Sequence, residues 1–167
     1  ITGEIAGQTV DGISPPDLLD YQAQTSTLSG LAAEQFGGVP ASLETLDGAV
    51  PVNMAVVSAT YFDVLGVPAR QGRTFRSGDA PVEPVGPVVI SHRVANLVFG
   101  SADGAVNQSV TINARRRVVL GVMPASFQSP VDAEIWETVN LTGAMFAGRG
   151  IEARFLKMIG RRRPGTS

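Results

Sequence analysis

Between residues 51 and 75 the spacing of apolar positions changes period. Val52, Met54 and Val56 alternate with Asn53 and Ala55, the two-residue repeat of a half-buried strand. Tyr61, Phe62, Val64 and Leu65 then crowd large apolar surface into one segment, which predicts a short helix starting near Thr60. Ser58 stands where its hydroxyl can take an unpaired N–H of the first turn. Gly66 predicts the helix end, because glycine adopts the left-handed cap at no steric cost. Pro68 and Gly72 turn the chain twice more, and Arg73-Thr74-Phe75 leaves extended.

The rest of the chain yields to the same reading. Residues 1–13 mix short apolar positions with glycine and polar groups and read as an edge strand or a lead-in. Ser14-Pro15-Pro16-Asp17 is a helix start: an N-cap serine, proline at the first helical position, and an acid facing the helix dipole. A helix is predicted over 15–24, then a break, then a second helical turn near 28–33 carried by Leu28 and Leu31. Residues 36–40 read as a loop and 41–47 as a strand, with Asp47-Gly48 as a hairpin turn into an antiparallel return over 50–57. Residues 76–87 have no apolar period and read as a surface loop. Val88-Val89-Ile90 predicts a strand buried on both faces. Ser91 caps a predicted helix over 92–99, with Val94, Leu97 and Val98 inward and Gly100 closing it. A second hairpin follows, with strands at 110–112 and 118–122 and a turn over 113–116. Residues 134–137 form a short strand with Ile135 and Trp136 on opposite faces, Trp136 placed as a lid at the edge of the core. A glycine-rich stretch at 143–150 precedes a last strand over 155–160. Hairpins outnumber crossover helices, so the fold class is α+β: mainly antiparallel short strands with two or three short helices.

Composition bounds this picture. A chain of 167 residues with 44% hydrophobic content forms one domain or two small lobes around a real core. The net charge of −2 gives no global attraction to nucleic acid or anionic lipid. The absence of cysteine excludes disulfides, thiolate metal sites and cysteine nucleophiles. No run of about eighteen apolar residues is present, and no signal-peptide pattern opens the chain. A domain working outside the membrane would therefore be carried there by something beyond this sequence.

Candidate chemistry is thin. His92, the single histidine, lacks an evident orienting partner and reads as a capping or surface residue. Ser14, Ser58 and Ser91 each precede a predicted helix and read as N-caps. Asp17 and Asp20 share a helix face in the first turn, where acids compensate the dipole. Asp79, Glu83, Asp103, Asp132 and Glu134 lie in predicted loops without the alternate spacing of a calcium loop. Gly37-Gly38 and Gly100 to Gly104 lack the lysine and context of a phosphate loop. Arg115, Arg116 and Arg117 fall in the second hairpin turn, and Arg149, Arg154, Lys157 and Arg161 to Arg163 crowd the C-terminal end. Both clusters read as solvated, because Phe155 is the sole aromatic beside them that could stack a base. No catalytic, cofactor-binding or metal-ligating residue is expected.

The motifs of this chain, taken together, resemble a known family. Val57-Ser58, Tyr61-Phe62, Leu65-Gly66 and Gly72-Arg73-Thr74-Phe75 resemble the central signature of the MacB-like extracytoplasmic (periplasmic core) domain of FtsX/MacB-type ABC transporter permeases. Ser14 to Tyr21, Ser29 to Ala33, Pro87 to Ser91 with Phe99-Gly100, Val110 to Asn113 with Val118 to Pro124, Glu134 to Trp136, and Ile159-Gly160-Arg161 with Pro164-Gly165 are similar to further family motifs in the same order. Departures are local. The family's tryptophan is missing from the helix at 92–99, Ala114 and Asn107 stand where glycine is usual, and Arg162 replaces an apolar residue.

The resemblance implies an extracytoplasmic domain set between two transmembrane helices of a cytoplasmic-membrane permease. A porter-like part, about 1–50 and 150–167, would carry an inserted β-rich part, about 51–149, and the porter-like part would be truncated at its C-terminal side. The implied function is non-catalytic coupling of ATP-driven transmembrane motion to export or to envelope partners. The implied partners are the protein's own transmembrane segments and a cytoplasmic ABC ATPase, with a permease dimer, a periplasmic adaptor or an exported substrate as further candidates, and no nucleic acid. Contacts are expected on the loop at 76–87 and the stretch at 141–150. The alternatives are a small metal- or carboxylate-dependent hydrolase built on loop acids such as Asp79 or Asp132, and a nucleic-acid-binding module using the C-terminal arginines.

Overall fold

The computed structural model describes residues 2–5, 8–35, 37–79, 85–128, 132–139 and 141–165. The elements run β1 (Thr2–Ile5), β2 (Gln8–Asp11), α1 (Pro15–Gln24), β3 (Leu28–Gln35), β4 (Val39–Thr45), β5 (Gly48–Val57), α2 (Tyr61–Leu65), β6 (Gln71–Gly72), β7 (Gly86–Ile90), α3 (His92–Phe99), β8 (Ser109–Ile112), β9 (Arg115–Val122), β10 (Ile135–Thr138) and β11 (Leu156–Arg162). Two 3₁₀ turns, Ala144–Phe146 and Ile151–Ala153, precede β11. The class is α+β, and among the paired strands antiparallel pairing dominates, as the hairpin signals predict; β5–β10 and β7–β9 are parallel.

Six strands close on themselves. β4 pairs with β5, β5 with β10, β10 with β7, β7 with β9, β9 with β8, and β8 returns to β4. Full closure removes the exposed edges that an open sheet of this size would present. One face of every strand fills the ring: Leu43, Val52, Met54, Val88, Ile90, Val110, Ile112, Val119, Val122 and Ile135 form one buried cluster. Val94 and Ala95 of α3 join it, so α3 closes the end of the ring where β7 finishes. At the opposite mouth the buried Arg117 pairs with Glu137.

The seam between β4 and β8 is narrow, with Leu43 opposite Ile112. Asn113 lengthens it: its N–H donates to the Ser42 carbonyl at 2.8 Å, and its Oδ1 accepts from the Ser42 N–H at 2.8 Å. Asn113 and Ala114 form the β8–β9 turn with φ of 50° and 59°. This backbone matches strand twist, but a Cβ at Ala114 costs about 1–2 kcal/mol. The departure from glycine at Ala114, and that at Asn107 with φ of 65°, are thus accepted as strained turns. Gly72 and Gly121 serve close approach, because a Cβ on them would lie 2.2 Å from the Leu120 carbonyl oxygen and 2.3 Å from that of Arg73.

Outside the ring, the other faces of β5, β7 and β10 supply Ala55, Val57, Val89 and Trp136 to a second cluster with Tyr61, Phe62, Val64, Phe75 and Met123. β5 runs on to meet β3 at Glu34 opposite Val57, and β3 pairs along its length with β11. A third cluster, Ile13, Leu18, Leu31, Ala33 and Leu156, holds α1 on this sheet.

Several sequence expectations are corrected. Residues 28–33 are strand β3, not a helical turn; Leu31 and Ala33 face α1 while Ala32 and Glu34 face α2, so burial on both faces erases the alternation. β4 begins at Val39, inside the predicted loop; Phe36 lies outside the described residues. Two strands, β1 and β2, pair antiparallel where a single edge strand or a lead-in is expected. Gly86 and Pro87 already belong to β7, and residues 80–84 of the predicted loop lie outside the described residues. Leu97 is exposed, and Ala95 takes the inward position. Trp136 is a buried core residue, not a lid. The caps of α1 and α3 form as expected: Ser14 and Asp17 make a capping box, and the Ser91 hydroxyl accepts from the Val94 N–H at 3.1 Å.

Candidate functional site

Charged residues that the sequence scatters are drawn into pairs. Arg149 bridges Asp17 and Asp20 at 2.7 Å each, and Arg154 reaches Asp17 at 3.3 Å, so the glycine-rich stretch is pinned to the first turn of α1. Burial pushes the Asp17 carboxyl up, but its hydrogen bonds with Ser14 and Arg149 and the charge of Arg154 outweigh this and hold it below its ordinary value. Arg93 pairs with Glu134, and Asp103 accepts from the Gln71 amide at 2.9 Å. The arginines expected in a turn begin strand β9 instead, and Arg117 is buried. Arg161 is not a loose tail residue either. Its Nε donates to the Val64 carbonyl at 2.8 Å, its guanidinium lies over Gly66, and its positive charge meets the C-terminal end of α2. Two motifs nearly a hundred residues apart, 61–66 and 159–161, therefore meet in one contact.

Chemistry does not gather around the residues first considered for it. His92 opens α3 with its Nδ1 buried and unpaired. Asp132 stands in the left-handed region and Asp79 lies against Arg73. Glu83 is outside the described residues. Among the described residues no three acids or histidines converge in a way that could hold a metal ion. Ser58 is not a helix cap: its hydroxyl accepts from the Ala33 N–H at 2.9 Å and ties the end of β5 to β3.

The corner after Ser58 opens onto a cleft of about 390 Å³. Leu19 and Gln22 of α1 form one wall, Ser58 to Thr60 another, Arg76 to Gly78 a third, and Thr138, Val139, Leu141 and Thr142 the last. The parallel strands β5 and β10 end side by side here, Val57 opposite Thr138. Arg76 to Gly78 and Leu141-Thr142 come from the two segments that the sequence marks for contacts. The Gln22 amide and the Thr60 hydroxyl both donate to the Leu31 carbonyl, at 3.1 and 2.8 Å, which fixes α1 against the corner. Thr138 is 3% exposed and its Oγ1 has no hydrogen-bond partner. A buried hydroxyl left unpaired costs about 1–3 kcal/mol. Sequence reading missed Thr138, although the signal is there: it occupies the same strand face as Trp136, a polar residue in a buried phase.

The turn at 76–78 is held by Asp79. Arg73 donates to its two oxygens at 2.5 and 2.9 Å, and the Arg76 N–H donates at 2.7 Å. The Arg73 hydrogen bond outweighs burial, and with the Arg76 N–H it holds the Asp79 carboxyl below its ordinary value of 3.8. A depressed carboxyl contributes stability that is complete above its unfolded value and lost as the pH falls through the folded one. Asp79→Asn is therefore expected to lower stability at neutral pH and to flatten its fall below about pH 4. Urea midpoints measured from neutral pH down into the acid range check this; parallel curves for the two proteins would refute it.

The comparisons with known proteins agree on the fold. The family model described as MacB-like periplasmic core domain matches residues 2–158. No curated protein matches the chain. Among solved structures, the periplasmic region of MacB from Actinobacillus actinomycetemcomitans superposes with a TM-score of 0.67 at 16% identity, covering 95% of this chain and 68% of that one. A domain of a permease protein from Porphyromonas gingivalis gives 0.69 at 16% identity, covering 96% and 73%. The extracellular domain of the ABC-type transporter YknZ from Gram-positive bacteria gives 0.64 at 13% identity, covering 92% and 75%.

Proposed function

We propose, on the premise that this chain belongs to the family of MacB-like periplasmic core domains and is the extracytoplasmic domain of an ABC transporter permease, that it relays ATP-driven movement of the transmembrane helices to partners in the envelope. The family match over residues 2–158 carries this reading. The work is mechanical, and the domain is read as non-catalytic: the ion pairs and side-chain hydrogen bonds near β11, α1 and α2 hold elements together. Arg161 locks β11 to α2, Arg149 and Arg154 lock the segment before β11 to α1, and the ring hangs from β5, which runs from the hairpin tip to β3. Motion entering at the β3–β11 sheet would reach that tip along one continuous strand. We retain a two-part organisation, a porter-like part of about 1–50 and 150–167 with an inserted part of about 51–149. The pairing of β4 with β8 favours moving the first boundary to the start of β4 at Val39. A cytoplasmic ATPase partner is implied by the family; a permease dimer, a periplasmic adaptor and an exported substrate are finer readings.

The chain has no cysteine, so an introduced one reports cleanly. Leu46, fully exposed at the β4–β5 tip, is the place for it. In the intact permease with its ATPase in membrane vesicles, Leu46→Cys is expected to crosslink to envelope partners with a yield that changes when ATP is added. A yield indifferent to ATP would overturn the relay.

A further inference from the structure

β11 ends the sheet, and its outer edge is nearly bare. Lys157, Ile159 and Arg161 stand opposite Glu34, Ala32 and Gly30 of β3. Leu156 turns its backbone the other way: its N–H donates to the Ile13 carbonyl at 3.2 Å, and its carbonyl accepts from the Ile13 N–H at 2.9 Å. Backbone groups alternate along a strand, so Met158 and Gly160 share the outward direction of Leu156, and no described residue hydrogen-bonds to the outward backbone of either. Ile13 and Leu156 thus form the first rung of an antiparallel ladder that stops after one rung. Continued at the same register, it sets Asp11 opposite Met158, Val10 opposite Ile159 and Thr9 opposite Gly160. Those residues belong to β2, and among the described strands β2 pairs only with β1. The break lies at Gly12, whose φ of 88° turns the chain off the line and whose carbonyl accepts from Arg154 Nε at 3.1 Å. α1 supplies an independent argument. It follows β2 and leads into β3, and its Leu18 packs with Ile13, Leu31 and Leu156. A helical crossover of this kind joins parallel strands of one sheet. Ile13 and β3 both run antiparallel to β11, hence parallel to each other with β11 between them.

We propose that β2 is a strap that closes on the free edge of β11, with Gly12 as its hinge. Closing takes Gly12 from the left-handed region to extended backbone, a change glycine makes without steric cost. Met158 and Gly160 then gain Asp11 and Thr9 as hydrogen-bonding partners. β1 stays on the far edge of β2, and the sheet grows to the order β3-β11-β2-β1. A bare strand edge is a template for pairing, and β2 is the strand that the Ile13–Leu156 rung already brings to it. The strap stands on backbone register alone; its use, as the place where tension on β1 and β2 would enter the sheet, rests on the relay.

The test adds a cysteine pair to the 167-residue chain, which has none of its own. In the closed strap Val10 and Ile159 form a non-hydrogen-bonded pair, the more closely spaced kind. Val10→Cys/Ile159→Cys, oxidised with diamide in dilute solution, is expected to form a disulfide within one chain. Thr9→Cys/Ile159→Cys is expected to keep its thiols free, because a shift of one residue puts the side chain on the other face. Hydrogen exchange of the ¹⁵N-labelled in-register variant gives the second readout. After oxidation the amides of Met158 and Gly160 are expected to exchange as slowly as that of Lys157, which faces β3. No disulfide within the chain, equal oxidation of the two pairs, a disulfide between two copies, or fast exchange at Met158 and Gly160 in the oxidised protein would each overturn the strap. Failure of the Leu46→Cys crosslink would bear on the relay alone.

Discussion

Trp136→Ala is expected to cost about 3–5 kcal/mol of stability. Trp136 is 1% exposed and packs edge-on against Phe62, with ring centroids 5.5 Å apart, and against Phe127 at 5.5 Å. Phe62 in turn touches Tyr61 and Phe75, so one truncation opens the middle of an aromatic cluster instead of its rim. The position amplifies the loss. β10 is the strand through which β5 and β7 are joined, and Trp136 lies opposite Ala55 on one side and Val89 on the other. The surrounding backbone is thus hydrogen-bonded in place and cannot collapse into the void, the condition under which cavity costs run high. Trp136→Phe is expected to cost much less, since its indole N–H has no hydrogen-bond partner to lose. Because the chain has a single tryptophan, unfolding should be followed by circular dichroism in urea, not by fluorescence. A loss below about 1 kcal/mol for the alanine variant would return Trp136 to the edge of the core.

What the sequence discloses divides along the range of the interactions. Caps are local, so Ser14 with Asp17, Ser91, and the glycines closing α2 and α3 can be read from a few residues. Hairpins are nearly as local: Asp47-Gly48 and Asn113-Ala114 sit between strands that pair with their neighbours in the chain. Ring closure is not local. It needs β10 beside β5, some eighty residues earlier, and nothing near either strand names the other. β3 was hidden for a different reason. Leu28 and Leu31 happen to fall at helical spacing, and a strand packed on both faces shows no competing alternation. Ser58 shows that an N-cap and a tertiary tie look alike in sequence, for the same hydroxyl accepts a backbone N–H in both. The arginines read as solvated because their acids lie far off in sequence; Arg149 and Asp17 are 132 residues apart. The cleft was legible only in pieces, its two loops marked by composition and its floor, Thr138, unmarked.

Tyr61→Phe is expected to cost about 1–3 kcal/mol although it removes one oxygen and no packing. The Tyr61 hydroxyl donates to Oε2 of Glu34 at 2.7 Å. Glu34 is 1% exposed, its Oε1 has no hydrogen-bond partner, and Lys157 comes no closer than 4.0 Å with its own side chain largely in solvent. The phenylalanine ring keeps the T-shaped contact with Phe62, so the loss isolates the hydroxyl. Deleting it strands a buried carboxyl group that water cannot reach, and the cost of an unmade polar contact exceeds the net gain of a made one. The double variant Tyr61→Phe/Glu34→Leu removes donor and acceptor together and fills the space with aliphatic atoms. It is expected to be more stable than Tyr61→Phe alone, as buried polar pairs replaced whole often are. A double-mutant cycle in urea, completed with Glu34→Leu, measures the coupling directly. If the double variant proved the weaker of the two, Glu34 would be held by contacts other than Tyr61, and the tie between β3 and α2 would have to be sought elsewhere.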